Sequence, residues 1–237
     1  MSDNLRKYAL WQMRDFGRER AIALLIIGLA LGFTFVSPVK MMQVQITEVS
    51  AKQILMVSMQ QIVFICVFVG LNGIISNDRK QGYYRFLFSK PVSIPAYYAQ
   101  QFVIFFVGFM AVMALLLGVF AFFVYPLSPI APLTYCAIVF LSLGGIAFFI
   151  SSLFRFDWPI LAGVFLGSAL LHTIWEYSIG WRKVVLAVLP PLNKLTSMLG
   201  TLLDKGTVET NDLLWLLGYS LLFFLAGLFV LRRRPIA

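Results

Sequence analysis

Six apolar stretches, each about as long as a bilayer is thick and joined by shorter polar segments, leave this chain few ways to fold. They cover residues 21–37, 53–76, 99–124, 133–154, 158–177 and 213–231. Inside hydrocarbon every backbone N–H and C=O must find a partner, and a continuous apolar run meets that demand as a helix. The expected fold class is therefore all-α: a polytopic membrane protein of six spans. Only 12% of the residues are charged, about half the share of a soluble domain, and the spans use up most of the 237 residues. No room is left for a separate soluble catalytic or nucleotide-binding domain.

Charge sets the expected orientation. With both termini cytoplasmic, the inner segments hold 13 Lys and Arg against 5 Asp and Glu; the outer ones, with Glu176 counted in, hold 6 against 5. Cytoplasmic loops carry the excess of basic residues, so the net charge of +9 records topology and calls for no nucleic-acid partner. Residues 1–20 lack the pattern of a signal peptide. Over Leu5–Phe16 they predict an amphipathic helix on the inner surface, with Leu5, Tyr8, Leu10, Trp11 and Met13 meeting lipid. Both cysteines, Cys66 and Cys136, fall in spans and read as packing residues.

Two connections are more than links. The segment 77–98 is the longest polar interruption between spans, with Arg79, Lys80, Arg85 and Lys90 against Asp78. Asp78–Phe88 can form about three helical turns before Pro91 and Pro95 end them, with Tyr84, Leu87 and Phe88 on one side. In the outer segment 178–212, Val184–Leu192 and Leu195–Leu203 are apolar but too short to cross. They predict a pair of re-entrant or interfacial helices within 181–203, separated at Asn193 and Lys194.

Asp78-x-x-x-Gly82, Phe86-Leu87 and Ser89-Lys90-Pro91-Val92-Ser93 together resemble the cytoplasmic loop of type 2 ABC exporter permeases. Ile94 stands where that family usually has Arg or Lys, and Tyr83 where it often has Thr. The resemblance implies a transport subunit in the cell (inner) membrane, not an enzyme, that supplies half of a translocation path. Its partners would be a second permease chain, identical or related, and a separate nucleotide-binding ATPase subunit. ATP and Mg would sit on that ATPase and no cofactor on this chain. Coupling would fall to Asp78, Gly82, Tyr84, Phe86, Leu87, Phe88, Pro91, Val92 and Ser93, and the paired short helices would close the outer end of the path.

Motif chemistry points the same way. There is no G-x-x-x-x-G-K-[ST] loop, H-E-x-x-H, C-x-x-C or G-x-S-x-G. His172 and Glu176 lie four apart near the outer end of the fifth span, and Gln60 and Gln61 lie within the second. Polar side chains in hydrocarbon face other helices or a watered path, so these four are candidates for gating or substrate contact. No catalytic or metal residue is expected. Two rival readings are an intramembrane enzyme built on His172 and Glu176, and a scaffold that transports nothing. Gly28-x-x-x-Gly32 and Gly163-x-x-x-Gly167 are candidate points of close helix approach.

Overall fold

In the computed structural model the backbone is described at residues 2–41, 46–81, 93–154, 157–175 and 179–233, and side chains throughout these except 2–6, 38–41 and 79–81. Among the described residues every regular element is helical. Helix α1, Ser2–Asp15, passes through one π-helical stretch, Phe16–Ala21, into α2, Ile22–Met41. Then come α3 (Glu48–Leu71), the short α4 (Ser76–Gln81), α5 (Ile94–Phe123), α6 (Ile130–Leu153) and α7 (Asp157–Ile174). The chain closes with α8 (Trp181–Val188), α9 (Leu192–Lys205) and α10 (Thr210–Arg233). Among the described residues six helices are long and apolar enough to cross a membrane: Lys7–Ser37, Glu48–Asp78, Ile94–Phe123, Ile130–Leu153, Asp157–Ile174 and Thr210–Arg233.

The boundaries move from the sequence expectation for local reasons. Helix α3 starts early because Thr47 and Ser50 form a reciprocal cap, each side chain meeting the other's backbone N–H. It stops at Leu71 because Gly73 takes φ +72°, where a Cβ would lie 2.5 Å from the Asn77 side chain. Pro95 ends nothing; it occupies the first turn of α5, where its missing N–H is harmless. The residues expected to form an interfacial helix are helical, but they continue through the π-helical stretch into α2, so that Lys7–Ser37 is one membrane-length helix. Its Tyr8, Gln12 and Phe16 turn toward α5, while Leu10, Trp11 and Met13 are exposed.

Helix α6 is the centre of the bundle and the most completely buried element. Its closest partner is α10, and both glycine contacts in that seam are tight: a Cβ on Gly145 would lie 2.3 Å from the Ser220 carbonyl oxygen, and one on Gly227 2.7 Å from the Phe148 ring. Phe102, Phe140, Phe148 and Phe224 fill the space where α5, α6 and α10 meet. Gly32, Gly163 and Gly167 by contrast have open space where a Cβ would go, and of the two spaced glycine pairs only Gly28 meets another helix, at Leu116. The tightest backbone-to-backbone approach is made at Gly145, which belongs to neither spaced pair.

Helices α8 and α9 meet at a 65° bend. The bend falls at Leu189-Pro190-Pro191 and not at Asn193-Lys194, because Pro191 removes an amide donor and forces the residue before it out of helical geometry. Its carbonyls are taken up by neighbours: Ser168 Oγ of α7 donates to Pro190 O at 2.8 Å, and Tyr219 of α10 donates to Val188 O. Ser168 lies six residues before the end of α7, so the bend reaches roughly 9 Å below it. Helix α9 returns antiparallel along α3, with Gln60 Nε2 donating to Thr196 O at 2.7 Å and Gly200 next to Met56.

Candidate functional site

The polar groups that pack most closely lie at one end of the bundle, where α3 gives way to α4 and residues 82–92 lead to α5. Asp157, the first residue of α7, is fully buried there. It accepts from Gly73 N–H at 3.0 Å, Ser76 Oγ at 2.7 Å and Ser151 Oγ at 2.8 Å. Ser151, near the end of α6, in turn accepts from the amides of Ile75 and Ser76 at 3.2 and 3.3 Å. A turn between two helices leaves amides without a ladder partner, and buried amides need one. Two side chains from the α6–α7 junction supply it, and the turn 72–75 is thereby fixed to that junction.

Arg20, Tyr98 and Gln12 add further contacts at this end of the bundle. Arg20 reaches from the π-helical stretch to donate to Gly70 O, one of the last carbonyls of α3, while its guanidinium lies 4.3 Å over the Phe105 ring of α5. Tyr98 Oη of α5 donates to Asp78 at 3.1 Å, which fixes α4 against the start of that helix. Gln12 of α1 donates to Tyr97 O at 3.5 Å and accepts from Gln100 at 3.1 Å, beside the edge-on pair Tyr8–Tyr97. The segment carrying α4 is therefore held by α5 through Tyr98, by α6 through Ser151 and by α7 through Asp157.

Of the residues singled out from sequence, Asp78 and Ser93 belong to this region, Ser93 as the cap residue of α5. Gly82, Tyr84, Phe86, Leu87, Phe88, Pro91 and Val92 lie outside the described residues, as does Glu176. His172 Nδ1 lies 2.9 Å from Ser168 O and 3.2 Å from Ser168 Oγ on its own helix. Gln60 ties α3 to α9, and Gln61 is exposed. Arg20, Ser151 and Asp157 were not legible as a group: Arg20 reads as a basic flank and Asp157 as part of a short polar turn. The signal that was available is the acid one residue before Trp158-Pro159, the pattern of a helix start.

With six membrane-length apolar helices and no strand among the described residues, the chain is a multi-pass membrane protein. Compared with protein-family models, curated proteins and solved structures, it matches none.

Proposed function

We propose that this chain is the permease subunit of an ATP-driven exporter of the type 2 ABC class, in the cytoplasmic membrane, with both termini and the segment 77–98 inside. The observation that carries the reading is the way α4 is held. The buried carboxylate beneath it both satisfies the turn's orphan groups and ties that turn to the α6–α7 junction. Here the helix opening the 77–98 segment is joined through Asp157, Ser151 and Tyr98 to three further helices. That suits a lever on which an ATPase subunit acts, converting its approach into a rigid-body shift of the spans. The helix order supports it too: a basic connection between the second and third spans, and a bent pair of short helices before the last. In this reading α8 and α9 form a re-entrant pair that closes the outer end of the path, and a second permease chain completes it.

Leu87 and Phe88 supply the apolar contact to the ATPase in this proposal. Burying one such side chain is worth about 1.5–3 kcal/mol, so Leu87→Asp is expected to weaken docking of the ATPase subunit at least about tenfold while the spans still insert. Pull-down of the ATPase by wild-type and variant permease, with ATP hydrolysis in each purified complex, measures this. Docking and hydrolysis both unchanged would leave the segment 77–98 as a plain connection and remove the exporter reading. Orientation has its own test. Cysteines placed at Ser93 and Thr207 are expected to differ in reaction with an impermeant thiol reagent added outside, with Thr207→Cys labelled and Ser93→Cys protected. Equal labelling would overturn the topology.

A further inference from the structure

We infer that the cavity between α2, α3 and α5 holds one acyl chain of a phospholipid whose headgroup rests on the Glu48–Lys52 pair of α3. The cavity measures about 310 Å³, and among the described residues only Ser37 brings a polar side chain to its lining. Its floor is the buried row Leu55, Met59 and Ile62 of α3, and its rims are Leu29 and Phe33 of α2 and Phe123 of α5, all exposed. The hollow exists because α2 lacks side chains at Gly28 and Gly32. A Cβ on Gly32 would meet nothing within 4 Å.

The surroundings decide what fills it. All three walls belong to membrane-length helices, so the rims open onto hydrocarbon. Water needs two or more polar partners to settle in a cavity and finds none along this floor. Left empty, the lining would forfeit its dispersion contacts. The volume is roughly twice that of a dry cavity that accepts one benzene, and the lining follows α2 from Gly28 to Ser37, a rise of roughly 14 Å. A flexible hydrocarbon chain suits that length.

The polar end of the lipid is chosen by charge. Residues 42–47 join α2 to α3, so the Ser37 end of the cavity and the start of α3 lie at the same end of the bundle. Lys52 stands one helical turn before Leu55 and two before Met59, on the face that forms the floor. Its Nζ lies 2.8 Å from Glu48 Oε1, and both side chains are partly exposed, so the pair opens at little cost. Glu48 cancels the lysine's charge, and Asp204 of α9 adds a further acidic influence on Lys52. A headgroup that is only anionic is poorly matched to this mouth. One carrying a phosphate and a primary ammonium is matched at both ends: the phosphate accepts from Lys52, and the ammonium donates to Glu48. In the orientation proposed above this lipid belongs to the outer leaflet, but the site requires no ATPase.

Photolabelling tests it. The full chain is placed in phosphatidylglycerol vesicles with a trace of phosphatidylethanolamine that carries a diazirine midway along one acyl chain. Adducts are expected on the cavity-lining segments of α2, α3 and α5, and excess unlabelled phosphatidylethanolamine should suppress them. Gly32→Phe fills the hollow and should cut this labelling at least about fivefold, whereas Gly32→Ala, too small to fill it, and Gly163→Phe, on α7 outside the cavity, should label like wild type. Lys52→Gln should weaken it roughly twofold to fivefold, the range of an exposed charge contact. Adducts spread evenly over the six spans, or undiminished in Gly32→Phe, would overturn the inference. So would a free fatty acid that competes as well as phosphatidylethanolamine, since the headgroup would then contribute nothing. None of these outcomes depends on whether an ATPase docks, so the exporter reading stands or falls separately.

Discussion

Replacing Asp157 by alanine is expected to destabilise the protein by about 3 kcal/mol or more and to free the turn between α3 and α4 from the α6–α7 junction. The carboxylate is fully buried and accepts from three donors on three elements. Each buried donor left without an acceptor costs roughly 1–3 kcal/mol. The hydroxyls of Ser76 and Ser151 can rotate toward other acceptors, whereas the Gly73 amide is fixed by its backbone, so the loss falls short of three full penalties. Asp157→Asn keeps the shape and one acceptor but points an amide donor at other donors, for an intermediate loss of about 1–3 kcal/mol. Unfolding in detergent can be followed with a thiol-reactive dye, because Cys66 and Cys136 are buried until the chain opens. Stability of Asp157→Ala within about 0.5 kcal/mol of wild type would show that the cluster holds nothing. In the exporter reading the same variant also uncouples: ATPase still binds, but its hydrolysis no longer drives transport.

Gly145→Ala should be destabilising by about 2 kcal/mol, against the ordinary helical preference. Within a helix, alanine is favoured over glycine by about 1 kcal/mol. At Gly145 the added methyl would lie 2.3 Å from Ser220 O and 3.0 Å from Ser220 C, which are backbone atoms of α10 and cannot turn aside. The seam must open, and Ser220 also holds it closed by donating to Leu141 O. Overpacking of this kind costs about 1–3 kcal/mol, enough to reverse the propensity gain. Gly163→Ala and Gly218→Ala have open space at the same distance and are expected to be neutral or to stabilise by up to about 1 kcal/mol. The same dye-monitored unfolding compares the three. Equal stability of Gly145→Ala and Gly163→Ala would mean that α6 and α10 do not touch at their backbones.

How far the sequence reached differs from element to element. That the chain is helical, carries six apolar stretches long enough to cross a membrane and has two unusual connections follows from it alone, because apolar length acts residue by residue. The existence of two short helices between the fifth and sixth spans was equally readable, although their break was expected at Asn193-Lys194 and falls at Pro190-Pro191. Proline ends a helix through its missing donor and its effect on the residue before it, a stronger local effect than two polar side chains exert.

Which helix meets which was decided only in three dimensions. Spaced glycines at 28 and 32 or 163 and 167 look like contact motifs, yet Gly145 and Gly227, with no such spacing, make the close seam, since the facing surface determines whether a missing Cβ is needed. His172 Nδ1 lies 2.9 Å from Ser168 O one turn behind it, while Glu176, one turn ahead, lies outside the described residues. Gln60 and Gln61 are adjacent in sequence, but the turn of the helix sends one to α9 and the other outward. Arg20, Ser151 and Asp157 are separated by up to 137 positions and form one cluster with Gly70, Gly73 and Ser76, because the orphan amides and carbonyls of a helix end draw in whatever side chain the fold brings near. Hydrophobic length is written along the chain and needs no partner to be read. A hydrogen bond has two ends, and only the folded molecule supplies the second.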